Sequence, residues 1–127
     1  MPKAKAKNKI LIVEDDLDLL EALKNKFIAE KFEVLEAMNG EVGLEAAFRR
    51  HPNLILLDIV MPVMDGMTML RKLREDAWGK DMPVILLTNL SDESKVAEAI
   101  KHGAYDYLVK ADWKIDDVVK KVRERLK

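Results

Sequence analysis

Four short apolar runs in this chain stop at side chains that can do chemistry. Ile10-Leu11-Ile12-Val13-Glu14 runs into Asp15 and Asp16, Leu54-Ile55-Leu56-Leu57 ends in Asp58, Val84-Ile85-Leu86-Leu87 ends in Thr88, and the run beginning at Ala104 ends in Lys110. If the first and third runs lie side by side, three carboxylates converge, and like charges in one crevice repel unless a cation is bound or a proton is shared. A small hard ion suits such a site: Mg²⁺ takes oxygen ligands, keeps several waters and binds one or two carboxylates together with a phosphate oxygen. A carboxylate beside such an ion can act as a nucleophile toward phosphorus and form an aspartyl phosphate. The charge on the phosphoryl oxygens would then be met by the metal, the Lys110 ammonium and the Thr88 hydroxyl. No one of these residue types is specific. Their joint occurrence at the ends of four runs carries the reading.

The elements that must position them follow from periodicity. Residues 9–14 read as a first strand, and from Asp18 to Glu30 the residues Leu19, Leu20, Leu23, Phe27 and Ile28 recur at helical spacing. Residues 32–37 read as a second strand broken by Asn39-Gly40, and Glu41 to Arg50 as a second helix closed before Pro52. The run at 53–58, bounded by Pro52 and by Pro62 and Asp65-Gly66, reads as a strand covered on both faces, with Asp58 at its C-terminal end. Met67 to Glu75 gives a third helix, 76–81 a loop, and 82–88 a fourth strand with Pro83 tolerable only near its start. Ser91 is placed to cap a fourth helix that Gly103 stops, 104–110 is the fifth strand, and Asp112 is placed to cap the last helix. Strands alternating with helices require right-handed crossovers and give a parallel sheet with helices on both faces. The ligand crevice of such a sheet lies at the C-terminal ends of its strands, where all the residues singled out above fall.

Composition limits the other possibilities. The 127 residues are 49% hydrophobic, enough for one domain with its own core, and charged residues make up 35% yet nearly cancel to a net charge of -1. That balance offers no field of one sign for nucleic acid or an anionic membrane. There is no Cys, hence no disulfide framework and no thiolate metal site, and His51 and His102 lack transition-metal spacing. No apolar run approaches the roughly 20 residues of a membrane span. Residues 1–8, with Lys3, Lys5 and Lys7, read as a solvated, flexible basic tail, and 9–127 as the folded domain of a soluble, cytoplasmic protein.

Four stretches taken together resemble the receiver domains of two-component response regulators: Ile-Leu-Ile-Val-Glu-Asp-Asp (10–16), Leu-Ile-Leu-Leu-Asp-Ile-Val-Met-Pro-Val-Met-Asp-Gly (54–66), Pro-Val-Ile-Leu-Leu-Thr (83–88) and Gly-Ala-Tyr-Asp-Tyr-Leu-Val-Lys (103–110). The resemblance runs from Lys9 to the end. It implies a three-layer, flavodoxin-like (βα)5 fold with strand order 2-1-3-4-5. It further implies that Asp58 accepts a phosphoryl group from a histidine kinase or phosphotransfer protein, and that Asp15, Asp16, Asp58 and the Val60 carbonyl hold Mg²⁺. Thr88 and Lys110 would contact the phosphoryl group, and Tyr107 would turn inward as Thr88 moves, so that phosphorylation shifts the population between two conformations read by a downstream effector protein.

The chain departs from the family pattern in places. Ala111 stands where Pro usually follows the Lys, and a cis bond without Pro costs about 3 kcal/mol. Asn89 replaces a smaller residue. Val60 and Leu90, both apolar, flank the entrance and are expected to hinder an in-line water, giving a longer-lived phosphoryl group. Met61, Met64, Met67 and Met69 near the site read as core filling before docking surface. The sequence carries no effector motif, so the domain, stand-alone or excised from a longer chain, is expected to signal through another protein. Two other readings compete: a Mg²⁺-dependent phosphohydrolase, disfavoured because Val60 stands where such enzymes of the haloacid dehalogenase type place a second Asp, and an interaction module that is not phosphorylated.

Overall fold

The structure, a computed structural model, describes residues 8–88, 93–104, 106–109 and 114–127. Strands β1 (Lys9–Val13), β2 (Glu33–Ala37), β3 (Leu54–Asp58), β4 (Val84–Thr88) and β5 (Asp106–Val109) alternate with helices α1 (Leu17–Ala29), α2 (Gly40–Arg50), α3 (Gly66–Glu75), α4 (Glu93–Lys101) and α5 (Ile115–Leu126). The strands form one sheet in the order β2-β1-β3-β4-β5, every pairing parallel. This is the doubly wound order that the resemblance implies.

Alternation along the strands divides the core in two. Ile10, Ile12, Leu54, Leu56, Ile85 and Leu87 face one side, where Leu20, Leu23 and Phe27 of α1 and Val118, Val119 and Val122 of α5 cover them. Leu11, Val13, Ile55, Leu57, Val84 and Leu86 face the other, under Ala47 of α2 and Met69, Leu70 and Leu73 of α3. Burial on both faces is why β1, β3 and β4 read as unbroken apolar runs. All five residues of β3, Asp58 included, are buried.

Boundaries move where local chemistry was misread. Helix α1 starts at Leu17 because the Asp16 carboxylate caps it, and α2 starts at Gly40 because the Asn39 side chain accepts from the Val42 N–H at 2.9 Å. The stretch read as a loop at 76–81 contains a single 3₁₀ turn, Gly79–Asp81. Helix α5 starts at Ile115 with Lys114 in the capping position, and the Asp117 carboxylate reaches back to accept from the Lys114 N–H at 2.9 Å. Ser91 and Asp112, the caps expected for α4 and α5, lie outside the described residues, as do residues 1–7 of the basic leader. No helix among the described residues is long and apolar enough to cross a membrane.

Candidate functional site

Register builds the site. Val13 pairs with Leu57, so Glu14 and Asp58, the next residue on each strand, leave the sheet side by side. Asp58 pairs with Leu87 across β3 and β4, which puts Thr88 one step further along, and Thr88 itself pairs with Val109. Glu14, Asp58 and Thr88 are all buried, Asp58 with 5% of its surface exposed. Carboxylate oxygens of Glu14, Asp15 and Asp58 lie within 4.8 Å of one another, and among the described residues no other His, Asp or Glu group meets this spacing. Asp15 is the solvent-accessible member of the three.

This corrects one expected member. The sequence places Asp16 beside Asp15 as the second acid of the pair, but its Oδ1 accepts from the N–H groups of Asp18 and Leu19 at 3.0 and 3.3 Å. That oxygen caps α1, where helix N-terminal N–H groups need an acceptor. Glu14 takes its place in the cluster, and its Oε2 accepts from the Asp16 N–H at 3.0 Å. Two signals in the sequence point to Glu14: an acid directly before an apolar helical pattern is a cap, and equal run lengths in β1 and β3 bring Glu14 level with Asp58.

Behind the carboxylate the backbone is closely packed. The Gly66 N–H donates to the Ile59 carbonyl at 2.8 Å, and a Cβ built on Gly66 would sit 2.1 Å from the Asp58 carbonyl oxygen. Only glycine lets α3 start this close to the strand end. Asp65 caps the helix by accepting from the Thr68 N–H at 2.8 Å. The connecting loop carries two apolar side chains into solvent, Val60 at 52% and Val63 at 75% exposure. Val63 has φ +67, and the Met64 N–H donates back to the Pro62 carbonyl at 2.7 Å, a γ-turn that a β-branched residue adopts only under strain. The Met64 carbonyl in turn accepts from the Gly40 N–H at 2.8 Å, which ties the loop to the start of α2.

Tyr107 is 42% exposed on β5, so its ring points outward in this conformation. Lys110, Asn89, Leu90 and the Lys110–Ala111 bond lie outside the described residues. The metal question rests on the donor set. Three converging carboxylates, with no imidazole and no thiolate among them, suit a hard divalent cation such as Mg²⁺ and not a soft or imidazole-seeking one.

Comparison with known proteins agrees with this geometry. The sequence pattern of the response regulator receiver domain matches residues 10–123. The response regulator PleD of Caulobacter vibrioides is 40% identical over 117 residues, covering 92% of this chain and 25% of its own length. A receiver domain protein of Methanospirillum hungatei, described as CheY-like, superposes with a TM-score of 0.88 at 29% identity, covering 95% of this chain and 94% of its own. The receiver domain of a Pseudomonas aeruginosa sensor histidine kinase, solved with a magnesium ion coordinated in its active site cleft, superposes with a TM-score of 0.79 at 26% identity over 94% of this chain and 97% of its own. The chain belongs to the response regulator receiver domain family of two-component signalling. It spans a quarter to about two fifths of the length of the curated relatives it matches.

Proposed function

We propose that this domain is a phosphorylatable switch whose acceptor is Asp58. The observation that carries the reading is the buried Asp58 carboxylate held at the C-terminal edge of the sheet against the carboxylates of Glu14 and Asp15. An Asp58 carboxylate oxygen attacks the phosphorus of a phosphohistidine on a histidine kinase or phosphotransfer protein. The new O–P bond forms as the P–N bond breaks, and its electron pair leaves on the imidazole nitrogen. Hydrolysis reverses the state: water attacks the same phosphorus, inorganic phosphate departs and the carboxylate is restored.

The remaining residues act by placement. Glu14, Asp15, Asp58 and the Val60 carbonyl would hold Mg²⁺, which when bound neutralises charge on the phosphoryl oxygens. Thr88, at the end of β4 beside Asp58, donates its hydroxyl to a phosphoryl oxygen, and Lys110 supplies a positive charge to it. Thr88 moving toward the phosphoryl group opens space behind it, into which Tyr107 turns from its exposed position. Phosphorylation thus favours one of two conformations, and the populations are read by a downstream effector in the cytoplasm.

Exposure to acetyl phosphate with Mg²⁺ should add one phosphoryl group by intact mass to the wild type and none to Asp58→Ala. Steady release of phosphate from small phosphate esters would favour the phosphohydrolase reading. No adduct under any of these conditions would leave a phosphorylation-independent interaction module.

A further inference from the structure

Arg74, the ninth of the ten residues of α3, donates to three backbone carbonyls. Its Nε donates to the His102 carbonyl at 2.6 Å, one terminal nitrogen to the Gly103 carbonyl at 3.0 Å and the other to the Gly79 carbonyl at 2.8 Å. His102 and Gly103 directly follow the last residue of α4, where carbonyls without helical partners carry partial negative charge. Gly103 takes φ +80, the left-handed stop that turns these carbonyls toward the guanidinium, and a Cβ there would meet Arg74 Nε at 3.3 Å. The planar fork of Arg matches three carbonyls at once, which a Lys ammonium on its flexible stem cannot do. Burial pushes the Arg74 pKa below its ordinary value, with Asp81 opposing that shift, and a guanidinium remains charged throughout.

The two helices this residue joins are anchored very differently. Helix α3 buries Gly66, Met67, Met69, Leu70 and Leu73, and its first residue is locked against the Asp58 backbone, so Arg74 is fixed to the core. Helix α4 is shallowly seated: of its described side chains only Ala99 is fully buried, Val96 is half-buried and Ile100 is 45% exposed. It begins shortly after Thr88, the residue that answers the phosphoryl group, and ends at the carbonyls that Arg74 holds.

We propose that Arg74 is a positioning residue that clamps the C-terminal end of α4 and makes it a pivot, so that switching displaces the N-terminal end of the helix. The clamp stands on the hydrogen bonds alone, whereas the pivot rests on the phosphoacceptor function proposed above. Helix α4 then behaves as a lever: a small movement at Thr88 turns it about a fixed point and is read along its exposed face.

Hydrogen exchange followed by mass spectrometry on wild type, Arg74→Met and Arg74→Lys tests both halves, each protein with and without beryllofluoride and Mg²⁺. In the unliganded proteins, exchange over residues 98–104 should rise about tenfold or more in Arg74→Met, as expected for losing hydrogen bonds to a charged donor. Arg74→Lys should fall between the two, and amides of β1 and β3 should not change. On adding beryllofluoride the wild-type response should be confined to 93–97, and in Arg74→Met it should spread through 98–104. Unchanged exchange at 98–104 in Arg74→Met, or a rise shared equally by β1 and β3, would overturn the clamp. A wild-type response equal at both ends of α4 would overturn the pivot. Wild type showing no beryllofluoride response and no acetyl phosphate adduct would refute the phosphoacceptor reading itself, and the unliganded comparison would still decide the clamp.

Discussion

Replacing Asp58 with Asn should make the metal-free protein more stable. Three carboxylates within 4.8 Å of one another form three like-charge pairs, and Asp58 belongs to two of them. At 4.8 Å one such pair costs about 3.5 kcal/mol at an effective dielectric of 20. Asp15 is solvent-accessible, and Glu14 gains a hydrogen bond from the Asp16 N–H, so much of that cost is offset. A net stabilisation of about 1–3 kcal/mol is expected, roughly 5–10 °C in Tm for a domain of this size. Magnesium should produce the opposite contrast. Bound at 100 times its Kd, it stabilises the wild type by about 2.7 kcal/mol, and it should do far less for Asp58→Asn. Thermal and urea unfolding of both proteins in EDTA and in excess Mg²⁺ measure all four stabilities. Equal stability of the two proteins in EDTA, together with no response of the wild type to Mg²⁺, would refute the argument that these carboxylates repel and share a cation.

Four further substitutions test the surroundings of the site. Gly66→Ala should lower stability by about 3 kcal/mol, since its Cβ would sit 2.1 Å from the Asp58 carbonyl, and should slow acetyl phosphate labelling; urea unfolding and intact mass report both. Val63→Gly should raise stability by about 1 kcal/mol, because strain of about 1–3 kcal/mol at φ +67 is relieved against roughly 0.5–1 kcal/mol of added backbone entropy in the unfolded chain; a lower urea midpoint would contradict it. Val60→Asn and Leu90→Glu should each shorten the lifetime of the phosphoryl group several-fold in a mass-spectrometric decay series, and decay no faster than wild type would remove the idea that apolar side chains at the entrance hinder water.

Much of this molecule was legible before any coordinates. The strands and helices rest on apolar runs whose two-sided burial leaves no alternation, as in β3, and on helical spacing such as Leu20, Leu23 and Phe27 in α1, whereas the order of the strands in the sheet came from the family resemblance. Asp58 and Thr88 were legible because each ends such a run, and β3 and β4 are neighbours in register. Glu14 and Asp16 are separable in the sequence only by weak signs: Glu14 ends an apolar run as long as the one before Asp58, and Asp16 stands directly before the helical pattern. The sheet register and the capping hydrogen bonds separate them. The clamp at Arg74 was not legible at all: its three acceptors are backbone carbonyls, which carry no sequence signal, and two of them lie 28 and 29 residues away along the chain. The γ-turn at Val63 was hidden for a related reason, since a valine gives no hint of a left-handed backbone.

Transfer onto Asp58 tests the central claim most directly. Wild type, Asp58→Asn and Glu14→Gln, each incubated with acetyl phosphate and Mg²⁺ and read by intact mass and peptide mapping, should give one phosphoryl group mapped to Asp58, none, and a strongly reduced yield, respectively. Labelling of the wild type at any other residue, or full labelling of Asp58→Asn, would contradict the account.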